Sequence, residues 1–505
     1  YIYIYIYIYI YIYMIEKNIY DRVGVVITTN GYWGVLIRQC IECYIREFSK
    51  NTYIVVFINE SDDSITLNLK NDFPQIEIIY IEDQIKFGGL TATWNKGIDL
   101  CFKNNKDIII LSNDDILFDS SITNIINEAH ISLKNNELKY FGPITNNPGP
   151  ADCNKLQYGL YPENKDTFTL KYNEKYSNIN GFFMVYSKHV LLKNKYNETY
   201  YFDPQYPFGG NETEWFNRFI KNGGQPIIVP QTFIYHYKIA RWRKNKLKND
   251  KCIYTVNTGN YEGSQIYLNN INNHLDYDIL YYSDNLNLMY HCIQNNIMFF
   301  YINTDNIDKQ LKQRIVKTSP HLFLPYIYNT SIYIDGNLIP TPNFNNKNLN
   351  KLVNLKADIV CFLHPERIYL EDEANVILWI QVLASTESVN NIRQLWYKDI
   401  NALKKSTLTE TNCIIRKHKN TIQFNEEWTK CMYICIRDQL SFDFLLEKYN
   451  INYIKLLYND KTYILQKILH NTLAYRNLLI KSKKLRTKFP PKFKKANYNF
   501  ESVFN

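Results

Sequence analysis

Two adjacent carboxylates, Asp114 and Asp115, close an apolar run at residues 107–111 (DIIIL). Like charges at the end of a buried segment are costly unless something positive shares the position. A divalent cation bridged to diphosphate oxygens meets that need, because hard metals take carboxylate oxygens. The same Asn113-Asp114-Asp115 run also suits the cap of a following helix. Glu212, far along the chain, is a further carboxylate that could take a proton from a hydroxyl. More polar groups close other apolar runs: Thr28 and Asn30 after residues 23–28 (VGVVIT), and Glu60, Asp62 and Asp63 after residues 53–58 (YIVVFI).

The elements that must position these groups are legible in the periodicity. Residues 23–28, 53–58, 76–81 and 107–111 are short apolar runs suited to buried parallel strands. Helical spacing is expected over residues 35–48, and again through Leu90, Trp94 and Ile98. Strands alternating with helices predict an α/β fold with mostly parallel central sheets flanked by helices. In such sheets ligands bind beyond the carboxyl ends of the strands, where these polar residues fall. A strand restarts at Cys252, so the chain is expected to hold residues 1–19 as a low-complexity leader, 20–245 and 246–480 as two domains, and 481–505 as a basic tail.

An ordered set of motifs sharpens the first domain. Residues 87–98 (FGGLTATWNKGI) precede the Asp114-Asp115 run, and Phe141-Gly142-Pro143, Gly181-Phe182-Phe183-Met184 and Tyr201-Phe202-Asp203 follow it. Residues 209–218 (GGNETEWFNR) and His236 complete the series. Residues 20–240 thereby resemble glycosyltransferase family 2, with its nucleotide-diphospho-sugar (GT-A) fold. The resemblance implies that Asp115 is the metal-coordinating end of the family's Asp-x-Asp motif, with Asp114 beside it and Asn113 in place of the leading Asp. It implies that Glu212 is the general base, standing where the family usually has Asp. His236 matches a late position that helps hold the metal, and Thr28, Asn30, Glu60, Asp62 and Asn95 fall on the side of the nucleotide sugar. The cofactor implied is Mn²⁺ or Mg²⁺. The chemistry is attack of an acceptor hydroxyl on the anomeric carbon while a nucleoside diphosphate leaves, a single displacement that inverts the centre.

The second domain carries residues 331–337 (SIYIDGN), 364–367 (HPER) and 437–442 (RDQLSF), with residues 254–262 (YTVNTGNYE) and Pro320-His321-Leu322 upstream. Residues 251–460 resemble the glycosyltransferase-like domain of plant proteins tied to turgor regulation and seed mucilage. The expected architecture is therefore two GT-A-like domains in tandem. Asp335 ends a short strand and could hold a metal, with Asn337 in place of a second carboxylate. Asp438 is expected as the catalytic acid that orients acceptor or sugar, with Gln439 beside it. His364, Arg367 and Arg437 are expected at the donor, the arginines as forked phosphate donors or as ion pairs with Glu366 or Asp438. The activity expected is transfer from a nucleotide-sugar donor to a glycan or glycoconjugate acceptor, by one domain or by both. In the rival arrangement the second domain is a carbohydrate-binding platform without turnover. A nucleotidyltransferase is disfavoured because Thr28–Gly34 has no basic residue for a phosphate loop.

Composition excludes other classes. The 505 residues are 46% hydrophobic and 21% charged, which rules out a disordered chain. Lys+Arg 58 against Asp+Glu 49 leaves a net charge of only +9, so the basic connector at residues 238–251 reads as a solvated link and no nucleic-acid partner is expected. The basic run at residues 481–495 gives at most weak contact with an anionic membrane surface. No stretch has the roughly 18 apolar residues of a membrane-spanning helix. Ten cysteines in a chain of this length are not a disulfide framework. Cys40-x-x-Cys43 and the Cys431, Cys435 pair lie on apolar helical stretches and read as buried thiols, which fits a reducing, cytoplasmic setting. Residues 1–13 alternate Tyr and Ile as a translated dinucleotide repeat would, with a start expected at Met14.

Overall fold

The computed structural model describes residues 19–29, 34–59, 68–148, 155–170, 178–237, 250–259, 275–325, 328–380 and 384–467. Asn30, Glu60, Asp62, the Tyr–Ile run, residues 238–249 of the connector and the basic tail lie outside the described residues. The chain divides into two compact units, Tyr1–Arg243 and Lys244–Asn505, each with its own large sheet.

The first unit contains β1 (Val23–Thr29), β2 (Tyr53–Asn59), β3 (Glu77–Ile81), β4 (Ile108–Asn113), β5 (Ile116–Phe118), β6 (Lys139–Thr145), β7 (Phe168–Thr169), β8 (Phe183–Ser187) and β9 (Gln225–His236). They form one nine-stranded sheet in the order β3-β2-β1-β4-β8-β6-β9-β5, with β7 on β9. β3, β2, β1 and β4 are parallel, β8 runs antiparallel to β4 and β6, and β6 and β9 are parallel. Every residue of β1 is buried, which explains its unbroken apolar run. Helix Gly89–Lys103 packs so closely on β1 that a Cβ at Gly97 would lie 2.4 Å from Val26 Cγ1, so only glycine fits there. Thr28 pairs with Phe57 on one side and Asn113 on the other, which aligns the carboxyl ends of β1, β2 and β4. The expected strand at residues 107–111 is shifted: β4 runs from Ile108 through Asn113. Asn113-Asp114-Asp115 caps no helix, because β5 follows directly and the next helix, Ile122–Lys134, starts after Ser121.

The second unit contains β10 (Lys251–Asn257), β11 (Asp278–Ser283), β12 (Met298–Tyr301), β13 (Thr330–Ile334), β14 (Leu338–Pro340), β15 (Ile359–Leu363), β16 (Thr409–Lys417), β17 (Tyr453–Leu456) and β18 (Leu465–Lys467). Its main sheet has the order β12-β11-β10-β13-β16-β15-β17, and β14 pairs separately with β18. Only β16 runs against its neighbours. With the short strands β5, β7, β14 and β18 set aside, both sheets read third, second, first, fourth, sixth, fifth, seventh, with the sixth antiparallel. The two units thus repeat one α/β topology.

The described cysteines are all buried, Cys40, Cys43, Cys431 and Cys435 among them. Burial pushes the Cys40 and Cys43 thiols up, as expected of inert core groups. No helix among the described residues is long and apolar enough to cross a membrane.

Candidate active site

The carboxyl edge of the first sheet gathers most of its expected residues. Thr29, the last residue of β1, donates its hydroxyl to an Asp114 carboxylate oxygen. Burial and the adjacent Asp115 charge push Asp114 up to about 7, against the opposing pull of that hydrogen bond and of His236. Asp115 is buried, and its Oδ1 lies 3.4 Å from Nε2 of His236, the last residue of β9. β5 pairs with β9 so that Ile116 stands opposite His236, which is how the sheet brings the two side chains together.

The tautomer of His236 follows from its other partner. His236 Nδ1 is 2.8 Å from the Asn147 carbonyl oxygen, which only accepts, so Nδ1 carries the proton. In the neutral ring Nε2 then presents a lone pair toward Asp115 Oδ1. Two electron-rich atoms facing each other call for a proton or a cation between them. Ligand bonds of about 2.1 Å at roughly a right angle leave their donor atoms about 3 Å apart. An imidazole fixed through a backbone carbonyl is also the usual second partner of a metal-binding histidine. The Asp115–His236 pair therefore fits a divalent ion, with further ligands to come from a bound phosphate. Among the described residues no cluster of three or more His, Cys, Asp or Glu forms a complete protein cage.

Glu212 reaches the same region from the first turn of helix Asn211–Lys221. Asn211 anchors that turn, donating from its side chain to Thr91 Oγ1 at 2.9 Å and accepting from the Glu212 N–H at 3.0 Å. Glu212 Oε1 would lie 3.1 Å from a Cβ at Gly181, so glycine leaves the carboxylate its room. The next residue, Phe182, stacks on the His236 ring at 4.5 Å and 11°. One peptide step thus separates the residue packed on Glu212 from the residue packed on His236. Burial raises Glu212, and a backbone hydrogen bond in its own turn opposes the shift only in part. A carboxylate held above its ordinary range suits a proton acceptor.

Two other expected residues of this unit are described, Thr28 and Asn95. Thr28 is 7% exposed within β1. Asn95 is buried and its amide is taken by the backbone: it donates to Phe202 O at 3.0 Å and accepts from the Tyr201 and Phe202 N–H groups at 2.9 Å. Sequence reasoning missed Thr29 and Asn147, and held Phe182 only as part of a motif without its contact to His236. Thr29 sits beside Thr28 at the same strand end, but nothing in the sequence marks Asn147 or Phe182 as neighbours of His236.

In the second unit the expected residues cluster, but on one another. Asp438 is 2% exposed, accepts from Thr411 Oγ1 at 2.7 Å, and lies 2.5 Å from Lys317 Nζ and 3.7 Å from Arg314 Nη1. Burial alone would raise it, yet Arg314, Lys317 and Arg437 hold it far below the usual carboxylate range. Asp335 accepts from the Tyr333 hydroxyl at 2.6 Å and faces the same Lys317 ammonium at 3.5 Å. The expected pairing of Arg367 with Glu366 is present at 3.3 Å, and both arginines also meet a buried carboxylate outside the expected set: Arg437 Nη2 is 2.9 Å and Arg367 Nε 2.7 Å from Glu373. His364 Nδ1 accepts from the Glu366 and Arg367 N–H groups at 3.1 Å, and burial with the Arg367 charge pushes it down to about 4. Gln439 donates to Thr409 O at 3.1 Å, and Asn337 is 3% exposed. At Asp335, where the sequence suggested a metal, a lysine ammonium faces the carboxylate. Lys317 and Glu373 went unread because neither lies in a distinctive sequence motif.

No protein-family model and no curated protein matches the sequence. Among solved structures, the chain is similar to GalNAc-T7 with UDP, GalNAc and Mn²⁺, at 12% identity and a TM-score of 0.30 over 42% of this chain and 43% of that one. It is similar to S. aureus TarS 1-349 at 14% identity and a TM-score of 0.31, over 45% of this chain and 62% of that one. The mannosyltransferase PcManGT from Pyrobaculum calidifontis in complex with GDP-Man and Mn²⁺ gives 13% identity and a TM-score of 0.31, over 45% and 61%. The chain spans less than two thirds of each of these structures.

Proposed function

We propose that the first unit is a GT-A-type glycosyltransferase that moves a sugar from a nucleotide-sugar donor to a hydroxyl of a glycan or glycoconjugate. The observation that carries this reading is the approach of Asp115 to His236 at the sheet edge, with a buried carboxylate, Glu212, across the Gly181–Phe182 step. Glu212 accepts the proton of the acceptor hydroxyl as its oxygen attacks the anomeric carbon. The bond from that carbon to the diphosphate breaks in the same step, and the configuration inverts. Asp115 and His236 would hold Mn²⁺ or Mg²⁺, which supplies positive charge against the leaving diphosphate. Asn147 fixes the His236 tautomer, and Thr29 orients Asp114 beside the site.

The test is nucleotide release by the full chain with Mn²⁺ and a panel of UDP-, GDP- and CMP-sugars. Release from one donor, abolished in Glu212→Gln, is the expected result and names the donor. Silence across the panel, with no Mn²⁺-dependent binding of any of the nucleotides, would overturn the reading in favour of a glycan-binding protein. For the second unit, the Lys317–Asp438 and Arg–Glu373 pairs favour a platform that supports a single engine over a second engine.

A further inference from the structure

The repeated topology lets the two strand-end sites be compared position by position. β13 occupies the place of β4, so Asp335, which follows β13, corresponds to Asp114, which follows β4. In the first unit the carboxylates after the strand meet an imidazole. In the second they meet Lys317, from helix Lys309–Thr318, which lies in the β12–β13 connection just as helix Gly89–Lys103 lies in the β3–β4 connection. The Lys317 side chain is 1% exposed. Its ammonium is 2.5 Å from Asp438 Oδ2, 3.5 Å from Asp335 Oδ1, 3.4 Å from Thr411 Oγ1 and 4.8 Å from the Tyr333 ring centre. Arg314, one turn earlier on the same helix, adds a guanidinium 3.7 Å from Asp438. The two carboxylates thus face cations that belong to the chain itself.

We infer that the second unit carries its cation on its own chain: the Lys317 ammonium stands between Asp335 and Asp438 in place of a divalent ion, and these carboxylates bind none. The inference draws on the proposed function only for the site used as comparison. Lys317 is a positioning residue that locks Asp335 and Asp438 together.

The experiment is Mn²⁺ binding to the full chain, followed by electron paramagnetic resonance with Mn²⁺ alone as the probe. The unsubstituted chain and Asp335→Asn are expected to bind the same number of ions, and Asp115→Asn to bind one fewer. Lys317→Met is expected to gain one Mn²⁺, which Lys317→Met with Asp335→Asn loses again. An ion lost in Asp335→Asn alone, or a folded Lys317→Met that gains none, would overturn the inference. If Lys317→Met does not fold, Asp335→Asn decides: an unchanged count supports the inference and a reduced count overturns it. A chain that binds no Mn²⁺ at all refutes the metal reading of the first unit while leaving the second-unit inference standing, so the two failures are distinguishable.

Discussion

Replacing Asp438 by Asn separates a structural carboxylate from a catalytic one. The substitution keeps shape and leaves an amide oxygen to accept from Thr411, so what is lost is the charge facing Lys317 at 2.5 Å and Arg314 at 3.7 Å. Removing one partner of a buried ion pair costs about 3–5 kcal/mol, because the remaining charge is left uncompensated. Here Asp335 stays within 3.5 Å of the Lys317 ammonium as a second counter-ion, which puts the expected cost near the lower end, about 3 kcal/mol. That corresponds to roughly a hundredfold rise in opening of the surrounding helices, readable by hydrogen exchange of peptides from residues 422–448. The sign with pH follows from the depressed carboxyl. Its contribution is present above the ordinary value of 3.8 and is lost as pH falls toward the folded-state value, so the substituted chain loses that part of its acid sensitivity. A cost below about 1 kcal/mol would refute the lock. Loss of nucleotide release with unchanged exchange would make Asp438 catalytic instead.

Glu212→Gln is expected to cut nucleotide release by about 10²–10⁴-fold, measured on whichever donor the chain uses. The same change should raise thermal stability near neutral pH, since burial disfavours the ionised Glu212; the gain vanishes on acidification below the ordinary value of 4.5, where the unfolded carboxyl is protonated too. The acid limb of nucleotide release should accordingly fall at a pH above that ordinary value, and a limb unmoved in Glu212→Asp or Glu212→Gln residual activity would point to another base. Gly97→Ala should destabilise the first unit by about 1–3 kcal/mol in urea unfolding, with Val26→Ala in the same chain recovering most of the loss; no recovery would show that the contact is not the cause. Asp115→Asn should abolish Mn²⁺-dependent nucleotide binding while leaving Mn²⁺-independent binding, read by calorimetry with UDP and GDP.

The parallel strands β1 to β4 were legible because buried parallel strands are written as unbroken runs, as VGVVITT and YIVVFIN show, whereas β5 to β9 were not read as strands. Asp115, His236 and Glu212 could be singled out as candidates because each sits near an element end within a recognisable string. What joins them was not. The Asn147 carbonyl and the Phe182 ring act on His236 across the fold, and backbone groups leave no mark in sequence. In the second unit the acidic strand end was read correctly as a place, but its chemistry was decided by Lys317, an unremarkable member of the run KQLKQRIVKT. A charge on an amphipathic helix is ordinarily solvent-facing, and only the fold turns this one inward. The arginines of the second unit met the same fate, since Glu373 lies in no motif that includes them.

A chain that repeats one strand order faces a pairing problem during synthesis. Parallel strands joined by long crossovers form late, and equivalent edges from neighbouring copies compete for them. β1 and β10 hold the same position in their sheets, yet read VGVVITT and KCIYTVN. The small residues of the first admit the close helix that a Cβ at Gly97 would exclude, whereas Tyr254 at the heart of the second reaches its hydroxyl to Arg416 at 2.7 Å. Exchanging the two strands would set a tyrosine against the helix at Gly97 in one sheet and remove one of the acceptors of the Arg416 guanidinium in the other. Divergence between the copies thus fits each strand to its own sheet and makes an exchange between them costly.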